Sequence, residues 1–112
     1  MPVPRFLNQL QILRTLYNST PLRLEYILQH IDSHIIQSIA EISLNILRGV
    51  INLNPQRFKK LKRYSKYIKQ LAKKSVSLNK KKRILTDNPK LVSQILGALF
   101  AKIFVKGTKE KS

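Results

Sequence analysis

The sequence predicts an all-α fold, a small bundle of about five to six short helices, one of them strongly basic and amphipathic. Three observations carry that expectation. Apolar residues recur at three- and four-residue spacing, cap-then-proline pairs open successive segments, and no alternating run or two-residue hairpin turn marks a strand. The chain has 112 residues, 43% of them apolar, which suits one domain with a modest core. It has no cysteine, so disulfides and zinc fingers are excluded.

Pro4 opens a first helix in which Phe6, Leu7, Leu10, Leu13, Leu16 and Tyr17 keep helical spacing, and Asn18-Ser19-Thr20 breaks it. Thr20 caps a short second helix with Pro21 at its first position, where the missing N–H has no partner to lose. Leu22, Leu24, Ile27, Leu28 and Ile31 form its apolar set. Asp32 or Ser33 caps a third helix lined by Ile35, Ile36, Ile39, Ile42, Ile46 and Leu47, and Gly49 stops it. Isoleucine favours strands by propensity, but the helical spacing persists for longer than any ordinary strand.

Asn54-Pro55 repeats the cap-then-proline signal, predicting a fourth helix from Pro55 to about Lys74. Phe58, Leu61, Tyr64, Ile68, Leu71 and Ala72 make its stripe, with nine cations around the rest of the cylinder. Ser75-Val76-Ser77 interrupts it, and Ser77 caps a fifth, brief helix from Leu78 to about Thr86. Asn88-Pro89 closes that element and begins the last, where Leu91, Val92, Ile95, Leu96, Leu99, Phe100, Ile103 and Phe104 fall in two adjacent rows. Within one domain, the expected regions are 1–54, near-neutral; 55–87, basic; 88–105, the apolar carboxy-terminal helix; and 106–112, a polar tail that frays.

Charge separates these regions. Residues 1–54 carry a net +1 and residues 55–112 a net +16. From Arg57 to Arg83 there are thirteen Lys or Arg and no Asp or Glu. A solvated helix face normally mixes signs to gain pairs along its surface, so an acid-free run of this length implies a polyanionic partner: nucleic-acid phosphate first, an anionic membrane second. The candidate nucleic-acid-binding residues are Arg57, Lys59, Lys60, Lys62, Arg63, Lys66, Lys69, Lys73, Lys74, Lys80, Lys81, Lys82 and Arg83. Lysine dominates and no Asn or Gln completes a recognition-helix pattern, which favours phosphate neutralisation over base reading. Tyr67 is placed off the apolar stripe, where it could stack on an exposed base.

The last helix admits three roles. Its apolar run of about 15 residues spans only ~22 Å and contains Lys102, too short for a membrane span. It can be core, an amphipathic segment in a membrane interface, or a self-association face, with Leu96, Leu99, Phe100, Ile103 and Phe104 as the contact residues for the last two. The apolar faces of the third and last helices leave room for a homo-oligomer.

Catalysis finds no constellation: five carboxylates, no two closely spaced on a helix face, no Gly-rich phosphate loop and no cysteine nucleophile. The expectation is a protein that is not an enzyme and uses no cofactor. His30 and His34 have the spacing of a helical metal pair, but Asp32 between them is the break between two helices, so they read as boundary histidines and no metal is expected. The amino terminus MPVPRFLNQLQIL lacks the basic-then-apolar order of a secretory signal, so the chain reads as intracellular.

The order NILRGVINLNPQRFKKLKRYSKYIKQLAKKSVSLNKKKRIL followed by LVSQILGALF resembles small basic proteins of Polinton and adintovirus-like elements, regarded as relatives of the adenovirus core peptide mu, the product of precursor X. The resemblance covers roughly residues 10–104. Its most specific parts are the Asn-Pro entry to the basic helix, Leu71 to Lys74, and Ser77-Leu78 leading into KKKRIL. It implies a virion core protein that condenses double-stranded DNA, located in the virion core or host nucleus. Lys59, Lys60, Lys62, Arg63, Lys80, Lys81, Lys82 and Arg83 would be the DNA-neutralising positions. The chain departs from the family in having Asn88-Pro89 where Gly-Gly often precedes the apolar segment, and in lacking a stretch like the adenovirus protease cleavage sites.

Overall fold

The computed structural model describes the backbone of residues 5–108 and the side chains of residues 6–101. Its regular structure is helical throughout: α1 (Arg5–Asn8), α2 (Leu10–Tyr17), α3 (Pro21–Gln29), α4 (Ser33–Leu47), α5 (Pro55–Lys62), α6 (Ser65–Ala72), α7 (Leu78–Asp87) and α8 (Pro89–Thr108). Pro4, expected to open the first helix, and residues 109–112 of the expected tail lie outside the described residues.

Four helix starts, those of α3, α4, α5 and α7, are closed by the residues the sequence offers for them. The Thr20 hydroxyl accepts the Arg23 N–H (3.3 Å), Asp32 Oδ1 accepts those of His34 (2.9 Å) and Ile35 (3.1 Å), Asn54 Oδ1 that of Arg57 (2.8 Å), and Ser77 Oγ that of Lys80 (3.2 Å). Each satisfies a first-turn donor that the helix itself cannot reach. Gly49 ends α4 at φ +77°, a left-handed conformation in which a side chain is strained. There the Val50 N–H reaches the Asn45 carbonyl and the Gly49 N–H that of Ile46, the paired bonds of a Schellman stop.

Helices α4 and α8 form the centre. Ile35, Ile36, Ile39 and Ile42 on α4 and Leu91, Val92, Ile95 and Leu96 on α8 are all buried, and the two helices pack on each other and on most of the rest: α4 on α1, α6 and α7, α8 on α2, α3, α5 and α7. The Glu41 carboxylate ties the first turn to this centre by accepting the Phe6 N–H at 3.0 Å. The Cα radius of gyration, 13.4 Å, matches the ~13 Å of a folded domain of this length. The basic segment is therefore part of the body.

Two expected helices are each broken once, so the described residues hold eight in place of the expected five to six. The first divides at Gln9 into α1 and α2, and the long basic helix divides at Arg63-Tyr64 into α5 and α6. At both breaks an N–H turns back to the carbonyl three residues earlier, Gln9 to Phe6 and Tyr64 to Leu61. The second break has a packing cause: α5 docks on α8 whereas α6 docks on α4 and α7, and one straight cylinder cannot follow both. Helix α8 in turn extends to Thr108, beyond the expected end at Val105.

The break also redirects Phe58. Expected on the inner stripe, it is 55% exposed, because the inward side of α5 is set by Leu61 and by Arg57, which lies over Gly97 of α8. Phe58, about 60° around the helix from Leu61, falls on the flank. There it lines an open apolar hollow of about 350 Å³ with Leu47, Ile51 and Leu53.

Candidate nucleic-acid interface

Helices α5, α6 and α7 each bury one short apolar stripe, Leu61 on α5, Ile68 and Leu71 on α6, Ile84 and Leu85 on α7, and each turns most of its remaining positions outward. Those remaining positions are largely cations. Of the thirteen candidates, Lys59, Lys60, Lys62, Arg63, Lys66, Lys69, Lys73, Lys74, Lys80 and Arg83 are exposed, Arg57 and Lys82 are half-buried, and Lys81 is buried.

On α5 the arrangement is tightest. Gln56, Lys59, Lys60 and Arg63 line one open hollow of about 360 Å³, as the i, i+3, i+4, i+7 spacing of one helix face requires. On α6, Lys66 and Lys69 are three apart, on the side away from Ile68 and Leu71. On α7, Lys82 and Arg83 line a shallow cleft with Gln29, Asn79, Thr86 and Asp87. Among the described residues no carboxylate forms an ion pair with any of the thirteen; the pair found is His34 with Asp32, at 3.9 Å. Three helices thus present cations against a single carboxylate, Asp87 at the end of α7, the electrostatic footprint of a protein that meets a polyanion.

Three residues sit differently from their reading in the sequence. The Arg57 guanidinium packs against Gly97, where an added Cβ would collide with Nη1, and its buried Nε has no hydrogen-bond partner. Lys81 is only 6% exposed, and desolvation lowers its pKa from the ordinary 10.5. Tyr67, expected off the stripe, is half-buried against the core with Lys66 Nζ 5.8 Å from its ring centre. Its spacing from Tyr64 and Leu71, three and four residues, was the signal that places it there.

The apolar rows of α8 are consumed inside the bundle. Leu96 is fully buried and Leu99 and Phe100 nearly so, with the Phe100 ring 5.6 Å from that of Tyr17. The side chains of Ile103 and Phe104 lie outside those described. Among the described residues no helix is long and apolar enough to cross a membrane, and no three His, Cys, Asp or Glu side chains gather as a metal site. The His30 ring, just past the end of α3, lies tilted 4.7 Å from that of Tyr26, while His34 stands in the first turn of α4 beside the Asp32 cap.

Set against protein-family models, curated proteins and solved structures, the chain finds no match in any of the three. The functional reading rests on its own chemistry.

Proposed function

We propose that this is a non-enzymatic, sequence-independent nucleic-acid-binding protein that condenses double-stranded DNA, in the manner of the virion core proteins its sequence resembles. One observation carries the reading: ten of the thirteen cations of the acid-free run are exposed, seven on the helices α5, α6 and α7 and three in the turns that join them, and among the described residues none of the ten is in an ion pair. Thirteen cations on one segment, in a chain of formal net charge +17 at pH 7, repel one another until counterions or phosphates gather on them. Binding to duplex DNA releases the counterions condensed there, which supplies affinity without sequence preference. Lysine, a hydrated point charge on a flexible stem, suits such diffuse contact better than base reading.

A membrane reading has less support, because Leu96, Leu99 and Phe100 are covered by the protein's own helices. The same packing covers the faces of α4 and α8 that left room for self-association.

The deciding experiment is a salt titration of binding to duplex DNA, structured RNA and anionic liposomes side by side. With ~6 to 8 phosphate contacts, the log–log slope on duplex DNA should be about −5 to −7. Preference for structured RNA moves the assignment to an RNA-binding protein. Salt-insensitive binding to all three sinks the electrostatic argument.

A further inference from the structure

Lys80, Lys81, Lys82 and Arg83 occupy consecutive positions of α7, so the helix must turn one of them inward. Lys81 falls three residues after Leu78 and four before Leu85, on the stripe that faces the body, and it is 94% buried as a result. Among the described residues its ammonium has neither a hydrogen-bond nor an ion-pair partner. A leucine or methionine would fill that stripe without the partial desolvation that lowers the Lys81 pKa. The lysine instead buries its stem and opens its ammonium into the cleft beside it, where it is free to meet a ligand.

The surroundings say which kind. Lys81 lines an open cleft of about 500 Å³ between α4 and the α6–α7 junction, together with Gln37, Glu41, Lys74, Ser77 and Leu78. Side chains on a helix lean toward its N-terminus, so Lys81 leans toward the first turn of α7, where Ser77 and Leu78 form the wall. In that turn the Ser77 hydroxyl takes the Lys80 N–H and the Ser77 carbonyl takes that of Lys81. The N–H groups of Leu78 and Asn79 have no carbonyl within α7 to receive them and stand at the positive end of its dipole. The carboxylate in the cleft, Glu41, already accepts the Phe6 N–H through Oε1. Two ammonium groups and a helix N-terminus against one carboxylate leave the cleft positive. Its size fits a small-molecule group rather than a bare ion, with apolar wall at Ala40, Leu44 and Val76 for the carbon skeleton of an ester.

We propose that this cleft is a phosphate site, in which Lys81, Lys74 and the first-turn N–H groups of α7 grip one phosphate group of a bound nucleic-acid backbone while the exposed lysines neutralise its neighbours. For the source of that phosphate the inference rests on the polyanion reading above. As a phosphate site the cleft stands or falls separately.

The test is an amide NMR titration of the full chain with inorganic phosphate and, separately, with a short mixed-sequence duplex. Phosphate should shift the Leu78 and Asn79 amides saturably. Lys81→Met should weaken that binding at least tenfold, whereas Lys90→Met, an equal charge change outside the cleft, should leave it within twofold. The duplex should move the same two amides, and Lys81→Met should reduce duplex affinity more than Lys69→Met on the exposed coat. If neither ligand moves these amides in the wild-type protein, the site is overturned, whether or not the methionine variant folds. A duplex that binds but shifts only α5 and α6, while phosphate saturates the cleft, overturns the backbone source and assigns the site to a free phosphate ester. Saturation by phosphate with no duplex binding at all overturns the DNA reading and leaves the phosphate site standing.

Discussion

On α5, Lys59, Lys60 and Arg63 stand together around one open hollow, whereas on α7 the four cations Lys80 to Arg83 are divided, two exposed, one half-buried and one inside. The two helices have similar lengths and similar caps, Asn54 and Ser77. What separates them is the spacing of their cations. On α5 the pair Lys59-Lys60 is followed by Leu61, which takes the inward position itself. On α7 the unbroken run leaves no apolar residue between Leu78 and Ile84, so the inward position falls to Lys81. A charge run on a helix is thus a mixture of coat and interior, divided by the period of the helix.

The largest effect should come from the α5 face. Neutralising Lys59, Lys60 and Arg63 together to Gln removes three phosphate contacts, which should lower the magnitude of the duplex salt slope by about 3 and weaken binding on the order of 100-fold at physiological salt. Fluorescence anisotropy across a salt series measures both quantities. If the triple variant loses no more than Lys69→Gln alone, α5 is no denser a phosphate platform than the rest of the coat, and the contrast with α7 disappears.

The next effect is on stability and has the opposite sign. Lys81→Met replaces a partly desolvated ammonium on a buried stem by an apolar side chain of similar length, and should stabilise the fold by about 1 kcal/mol. Thermal unfolding would then rise by roughly 4 °C or more. The same substitution at the exposed Lys80 should change stability by less than about 0.5 kcal/mol. The gain must also depend on pH. Burial holds the native-state pKa of Lys81 below 10.5, so the unfolded chain binds the proton more tightly. The cost of the buried charge is fully present below the native pKa and is relieved as pH rises from there toward 10.5. The advantage of the methionine variant should therefore shrink on the alkaline side; an advantage constant with pH up to that value would remove the charge as its cause.

The division between legible and illegible follows the range of the forces involved. Thr20, Asp32, Asn54, Ser77 and Gly49 act within their own turn, so the residue type alone announces the structure, and all five do what their types predict. The breaks at Gln9 and at Arg63-Tyr64 have no glycine or proline to announce them. The second follows from two halves of one amphipathic segment docking on different helices, a fact about α4 and α8 rather than about residues 63 and 64. The acid-free run was legible as charge, but which of its members face inward depends on phase. For Lys81 that phase was present in the sequence, in its spacing from Leu78 and Leu85. For Arg57 it was not, since its position depends on Gly97, forty residues away in the chain.

The two caps provide a control on the comparison. Asn54→Ala and Ser77→Ala each delete one side-chain acceptor at a first turn, and each should cost about 1 kcal/mol. Chemical denaturation with unchanged m-value would check this. Equal costs mean that α5 and α7 differ by where their cations point. A cost at Ser77 much above that at Asn54 would mean instead that α7 is held chiefly by its first turn.

The smallest effect tests whether Arg57 can join the coat. Alanine at Gly97 would place a methyl where Arg57 Nη1 now lies. The obstructing atom is the end of a long flexible side chain, so the guanidinium can swing outward without moving either helix. Alanine gains up to ~1 kcal/mol of helix propensity over glycine, and the Arg57 Nε, now buried without a partner, regains water. Against these gains stands the lost packing of the arginine stem on α8. The balance should leave Gly97→Ala more stable by about 0.5 kcal/mol, read from the denaturation midpoint. It should also steepen the duplex salt slope by up to about 0.9, the share of one added phosphate contact. If the variant is instead destabilised by more than about 1 kcal/mol, the contact between Arg57 and Gly97 is part of how α5 is fixed to α8, and Arg57 belongs with Lys81 among the interior cations.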